Sequence, residues 1–242
     1  MQSAKSSRPF NNHFSSSLHH SGQGSSRIAV LILGACLVLG LPACRTIDQD
    51  WDQPVGEAFA PTNFYQRGPM PTSVRRVALL PLYSSEWDHV DLTGLQRAFA
   101  AELGKHDQFE VVMVSPERVH RIFGIDQITS VEPIAADEFE TLVREVGADA
   151  ILFTDLTAYH PYRPIVMGVR CKLVETASVD ILWSLDTVFD SGNPTVSTAA
   201  RRYHLDESAP PYPLQNSSSI LQSPLRYTKY VADAVFATLP ER

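Results

Sequence analysis

Between Arg76 and Thr154 the hydrophobic period changes from strand-like to helical and back several times, and no other feature restricts the possible folds so strongly. The run Arg76 to Leu82 (RVALLPL) is short, apolar and bounded by polar residues, as a central strand that ends at Pro81 requires. Leu92 to His106 sets Leu92, Leu95, Phe99 and Leu103 at helical spacing, which predicts one packed face, with Gln96, Arg97 and Glu102 toward water. FEVVMV, Phe109 to Val114, predicts a second strand. Ser115 and Pro116 then open a short helix through Ile122, the serine as cap and the proline at the first helical position. Asp137 to Val146 predicts a further helix, with Phe139, Leu142, Val143 and Val146 inward and Gly147 as its stop, and Ala150 to Thr154 follows as a buried strand.

The second half continues in the same style. Val166–Glu175 and Asp180–Phe189 alternate apolar and polar residues and are joined by Thr176-Ala177-Ser178-Val179, which predicts a hairpin. Leu225 to Leu239 reads as a C-terminal helix. The sum is a single α/β domain over 74–242, a mixed sheet of about five strands flanked by helices, large enough to bury its own core. Within it Ser191 to Gln222, with Pro194, Pro210, Pro211 and Pro213, reads as a long surface loop.

The N-terminal part has a different character. Met1 to Arg27 holds Lys5, Arg8 and Arg27 and no acidic residue; Ile28 to Pro42 is about fifteen residues of nearly unbroken hydrophobicity, the length of an export-signal core and short of the ~20 residues of a spanning helix. The run closes on Leu41-Pro42-Ala43-Cys44, which resembles the lipobox of bacterial lipoproteins. That resemblance implies a signal peptide over 1–43, a mature chain that starts at a lipidated Cys44, and attachment to a membrane through acyl chains. Leu33-Gly34-Ala35-Cys36 also fits the pattern, but cleavage there would leave LVLGLP exposed. From Cys44 to about residue 73 the chain is acidic, Pro-rich and aperiodic, which predicts a flexible tether, with Trp51, Phe59, Phe64 and Tyr65 partly docked on the domain.

Charge narrows the choice of partner. Three of the 20 basic residues lie before Cys44 and none of the 27 acidic ones does, so 17 remain against 27 and the mature chain carries about −10. Nucleic acid, which rewards a basic face, is excluded as a partner, and so is an anionic lipid surface held by charge alone. With Cys36 and Cys44 assigned to the leader and the anchor, Cys171 has no disulfide partner and reads as a small apolar residue on the buried face of a strand.

Three pieces, the opening strand VALLPL, the helix-to-strand stretch EVGADAILFTDL and the hairpin VRCKLVETASVDILWS, resemble the periplasmic domain of the curli-secretion lipoprotein family and, more loosely, the amino-terminal domain of TolB and the lipoproteins that activate penicillin-binding proteins. The likeness runs from about Val74 to Asp190; Glu175-Thr176-Ala177-Ser178 replaces a Gly-containing turn of that group. It implies a non-catalytic binding or assembly role in a cell-envelope secretion or cell-wall system, on the periplasmic side. Because Arg45 and not Asp follows the cysteine, the outer membrane is the expected address. Pore-forming members carry two long amphipathic hairpins; here Tyr159 to Ile165 is too short and Ser191 to Gln222 too rich in proline and charge. A pore subunit and a periplasmic hydrolase are the alternative readings.

Candidate sites follow from the loops. His160 in AYHPYRP lacks a second histidine at metal spacing, Asp88-His89-Val90-Asp91 reads as a helix start in which Asp91 caps, and no Gly-rich phosphate loop is present, so no catalytic residue, cofactor or metal is expected. Tyr and Arg beside Pro form stiff amphipathic surface suited to protein contact, which selects Tyr159, Tyr162, Arg163, Tyr203 and Tyr212.

Overall fold

Phe64–Gln66 forms a first strand, β1, which pairs antiparallel with a later one although it lies in the stretch expected to be a tether. This computed structural model describes residues 54–85, 90–207 and 216–242. Cys44 and Trp51 lie outside them, as do Asp88, His89 and Tyr212. After β1 come β2 (Arg76–Leu79), α1 (Leu92–Gly104), β3 (Glu110–Met113), α2 (Pro116–Phe123), α3 (Ala136–Val146), β4 (Ala150–His160), β5 (Val166–Glu175), β6 (Ile181–Asp190), α4 (Pro194–Glu207), a 3-10 turn (Ser217–Gln222) and α5 (Pro224–Phe236). The six strands form one mixed sheet in the order β1-β6-β5-β4-β2-β3, parallel where β2 meets β3 and β4 and antiparallel elsewhere.

Helix ends obey local chemistry. Asp91 caps α1 by accepting from the Gly94 N–H, Ser115 caps α2 with Pro116 in its first turn, and Ser223 caps α5 ahead of Pro224. Gly147 ends α3 at φ +59°, a left-handed conformation that glycine adopts without a Cβ penalty. On one face of the sheet α1, α4 and α5 bury the larger core, built around Trp183, Tyr227, Phe99 and Phe236. On the other, α2 and α3 cover β2 and β4 with Val119, Leu142, Val146 and Ile151. Gln96 and Glu102, expected on the wet side of α1, are buried: the Gln96 amide donates to the Leu79, Leu80 and Val114 carbonyls, and Glu102 pairs with Lys105 at 2.7 Å.

Two expectations are corrected. The folded unit extends upstream of Val74, at least to Gly56: the Phe59 N–H bonds the Thr195 carbonyl, Arg202 donates to the Gly56 carbonyl, Phe59 packs edge-on against Phe189 and Met70 is buried. Aperiodic sequence here signals a segment ordered by contacts with distant parts of the chain. The stretch Ser191 to Gln222 is not a long loop, since 194–207 is helical and 217–222 a 3-10 turn. Pro194 occupies the first turn, where a missing N–H costs nothing, Asn193 accepts from Thr195, and Val196, Ala199 and Ala200 supply the buried stripe.

Candidate functional site

The strands of the hairpin run beyond the reach of α2 and α3, so one end of that sheet face is only half roofed. There the side chains of Phe153, Val174 and Ile181 from the sheet meet Phe139 and Val143 of α3 and Ile134 of the preceding segment around a groove of about 620 Å³. Glu132, Glu140, Arg144 and Lys172 stand at its rim. Around it the exposed apolar residues are large: Val131 is 60%, Val179 60% and Ile181 41% exposed. Exposed apolar side chains thus flank an apolar cavity.

One wall of the groove is fixed by a buried carboxylate. Asp155, 2% exposed, accepts from the Ser130 N–H at 2.9 Å, the Ser130 hydroxyl at 2.7 Å and the Thr129 hydroxyl at 2.9 Å. Lys172 donates to the Ser130 carbonyl, and Arg170 lies between Asp155 at 3.9 Å and Asp186 at 2.8 Å. The Thr129 hydroxyl and the Ser130 N–H, hydroxyl and carbonyl are thereby engaged, which lets an irregular segment lie buried. The other wall is the hairpin turn, in which Val179 sits at φ +58°. A β-branched residue in the left-handed region is strained by roughly 1–2 kcal/mol. The Val179 N–H to Glu175 carbonyl bond and the Ser178 hydroxyl to Glu175 carboxylate bond hold it there.

The loop aromatics are placed less uniformly than expected. Tyr159 is not surface: it lies on β4, is 9% exposed and lines a different cavity with Leu95 and Leu225, and burial raises its phenol pKa, with the Asp91 charge adding to it. Tyr162 is 74% exposed beside exposed Arg163, its ring edge-on to His160, whose Nδ1 lies 2.9 Å from the Tyr162 carbonyl oxygen. Tyr203 is half-buried on α4, under Lys105 and against Tyr230, and lines a third cavity with Asp233 and Glu207. Cys171 is buried, and desolvation pushes its thiol up to about 12, so it is no nucleophile. Among the described residues no group of three His, Cys, Asp or Glu side chains is placed to hold a metal, and no helix is long and apolar enough to cross a membrane.

Burial, reinforced by the neighbouring Glu102 charge, raises the Asp233 carboxyl above its ordinary value. The folded state therefore holds this proton more tightly than the unfolded chain, so the term favours folding at low pH and is lost as pH rises from the ordinary carboxylate range through the raised value. Asp233→Asn is expected to flatten that part of the stability–pH curve and to raise the neutral-pH melting temperature, as thermal unfolding at several pH values will show.

These features define a mixed-sheet α/β domain with an apolar groove between α3 and the β5–β6 hairpin. No family model matches the chain, and no curated protein matches it. Solved structures do resemble it. The PelC dodecamer from Paraburkholderia phytofirmans is 11% identical, with 74% of this chain and 96% of that one covered at a TM-score of 0.41. Lipoprotein GNA1162 from Neisseria meningitidis is 18% identical, with 55% and 99% covered and a TM-score of 0.40. The LpoB C-terminal domain from Salmonella enterica is 15% identical, with 48% and 82% covered and a TM-score of 0.34.

Proposed function

We propose that this chain is a lipid-anchored protein of the bacterial cell envelope, facing the periplasm from the outer membrane, that binds another envelope protein and does not catalyse a reaction. The anchor reading rests on LPAC and the apolar run before it; the binding reading rests on the groove between α3 and the β5–β6 hairpin. Its occupant is a short segment of a partner protein that inserts a large apolar side chain over Phe153 and Val174 while Glu132, Glu140, Arg144 and Lys172 meet polar groups at the rim. Tyr162 and Arg163, which are exposed, are a second contact region; Tyr203 and Tyr212 stand behind them as weaker choices, and buried Tyr159 is withdrawn.

Val179 allows a test in which stability and binding move in opposite directions. Val179→Gly removes the exposed isopropyl group and also the cost of its left-handed backbone, offset in part by the greater freedom of glycine in the unfolded chain. We expect the variant to be as stable as the parent or up to ~1 kcal/mol more so, while yield of a partner crosslinked from a photoreactive residue at Ile181 falls severalfold. Unchanged crosslinking in Val179→Gly would remove the groove from the interface.

A further inference from the structure

The two edges of the sheet are protected very differently. β1 is three residues long and flanked by Pro61 and Pro69, features that keep an edge from pairing with another chain. β3, Glu110-Val111-Val112-Met113, has no proline, lysine or bulge, carries three apolar residues of four, and Met113 is exposed. The Glu110 and Val114 N–H groups donate inward to the Arg75 and Leu79 carbonyls on the β2 side. By the alternation of a strand, the N–H and C=O groups of Val111 and Met113 therefore point outward from the sheet.

We infer that β3 is a self-association edge, on which a second copy of this chain adds its own β3 antiparallel about a two-fold axis through Val112. The strand is complementary to itself in that register. Val111 of one copy exchanges both backbone bonds with Met113 of the second, and the symmetric exchange makes four bonds; Val112 faces Val112. Glu110, the one charge on the strand, faces Val114 of the second copy and never another Glu110, and within its own chain it lies 3.6 Å from Arg76. A different partner strand would find the same backbone groups, but it would not supply this apolar and charge match by symmetry. Pro116 ends the ladder on each side, so the interface is short. This inference is independent of the groove, which lies between α3 and the hairpin.

The pairing places the two Val112 residues as a non-hydrogen-bonded pair, whose Cα atoms lie about 4.5 Å apart, inside the range a disulfide spans. In the full-length protein carrying Cys36→Ala and Cys44→Ala, Val112→Cys under mild oxidation should give a covalent dimer in high yield, while the same background without Val112→Cys, left with the buried Cys171, should give none. Adding Val111→Pro removes an outward N–H, which an edge strand tolerates, and trims the half-buried Val111 side chain; it should cut the dimer yield at least tenfold with an unchanged circular dichroism spectrum. Sedimentation of the detergent-solubilised parent protein supplies a measure free of any substitution, and dimer mass is the expected result. A monomer at high micromolar concentration, a Val112→Cys protein that stays monomeric on oxidation, or dimer yield indifferent to Val111→Pro would each overturn the inference.

Discussion

Asp155→Ala should destabilise the protein by about 3–5 kcal/mol, the range for removing one partner of a buried charged network, and lower its melting temperature by roughly 10 °C. Three donors, the Ser130 N–H, the Ser130 hydroxyl and the Thr129 hydroxyl, lose their acceptor at once, and both residues are buried, so water does not replace it freely. Arg170 retains Asp186, so the loss falls on the Thr129–Ser130 turn and not on the sheet. Amide exchange at residues 128–134 should therefore accelerate by orders of magnitude more than exchange in β4 or β5. Uniform acceleration across the domain, or a loss under 1 kcal/mol, would show that Asp155 does not hold this wall of the groove.

Cys44→Ala should shift the protein from the membrane fraction to the soluble fraction, or leave it as an uncleaved precursor, and abolish labelling by a palmitate analogue. Each buried methylene contributes about 0.8 kcal/mol, so a diacylglycerol holds a protein on a bilayer where one acyl chain is marginal. On that reading the mature chain, with 17 basic residues against 27 acidic ones, gains no attachment to anionic headgroups from charge. Cys36→Ala should leave fractionation and labelling unchanged. If instead Cys36→Ala releases the protein and Cys44→Ala does not, cleavage occurs at the earlier site.

Elements that announce themselves over a few residues were legible in the sequence. Ser115 with Pro116, Gly147 after Val146, and the alternation in Val166–Glu175 each act within one turn or strand, and each stands where it was expected. β4 runs six residues past its expected end because the pairing shifts between Leu156 and Ala158, which breaks the period-two pattern. β1 has no pattern of its own, and its place is set by the free side of β6. The helix over 194–207 was hidden because Pro194 reads with Pro210, Pro211 and Pro213 as a loop proline, when it is a first-turn residue. Val179 in a left-handed conformation gives no local warning, since its neighbours impose it. The groove is the least legible feature, because α3, the Thr129–Ser130 turn, β4 and the hairpin meet only in three dimensions, and each of its apolar residues alone looks like ordinary core.

That the fold extends upstream of Val74, at least to Gly56, changes the geometry of any anchorage at Cys44. An anchor at Cys44 would then lie at most twelve residues from Gly56, no more than about 43 Å away at full extension; the thirty residues 44–73 would have reached more than twice as far. The domain would be kept within about that distance of the bilayer, and a partner would have to come to the membrane to meet it. Tension along that stretch would be felt by the domain. It would enter at Val55 and Gly56, pass along α4 through Arg202 and Thr195, and load β1 in shear against β6, so that a mechanical pull on the lipid is transmitted to the edge of the sheet.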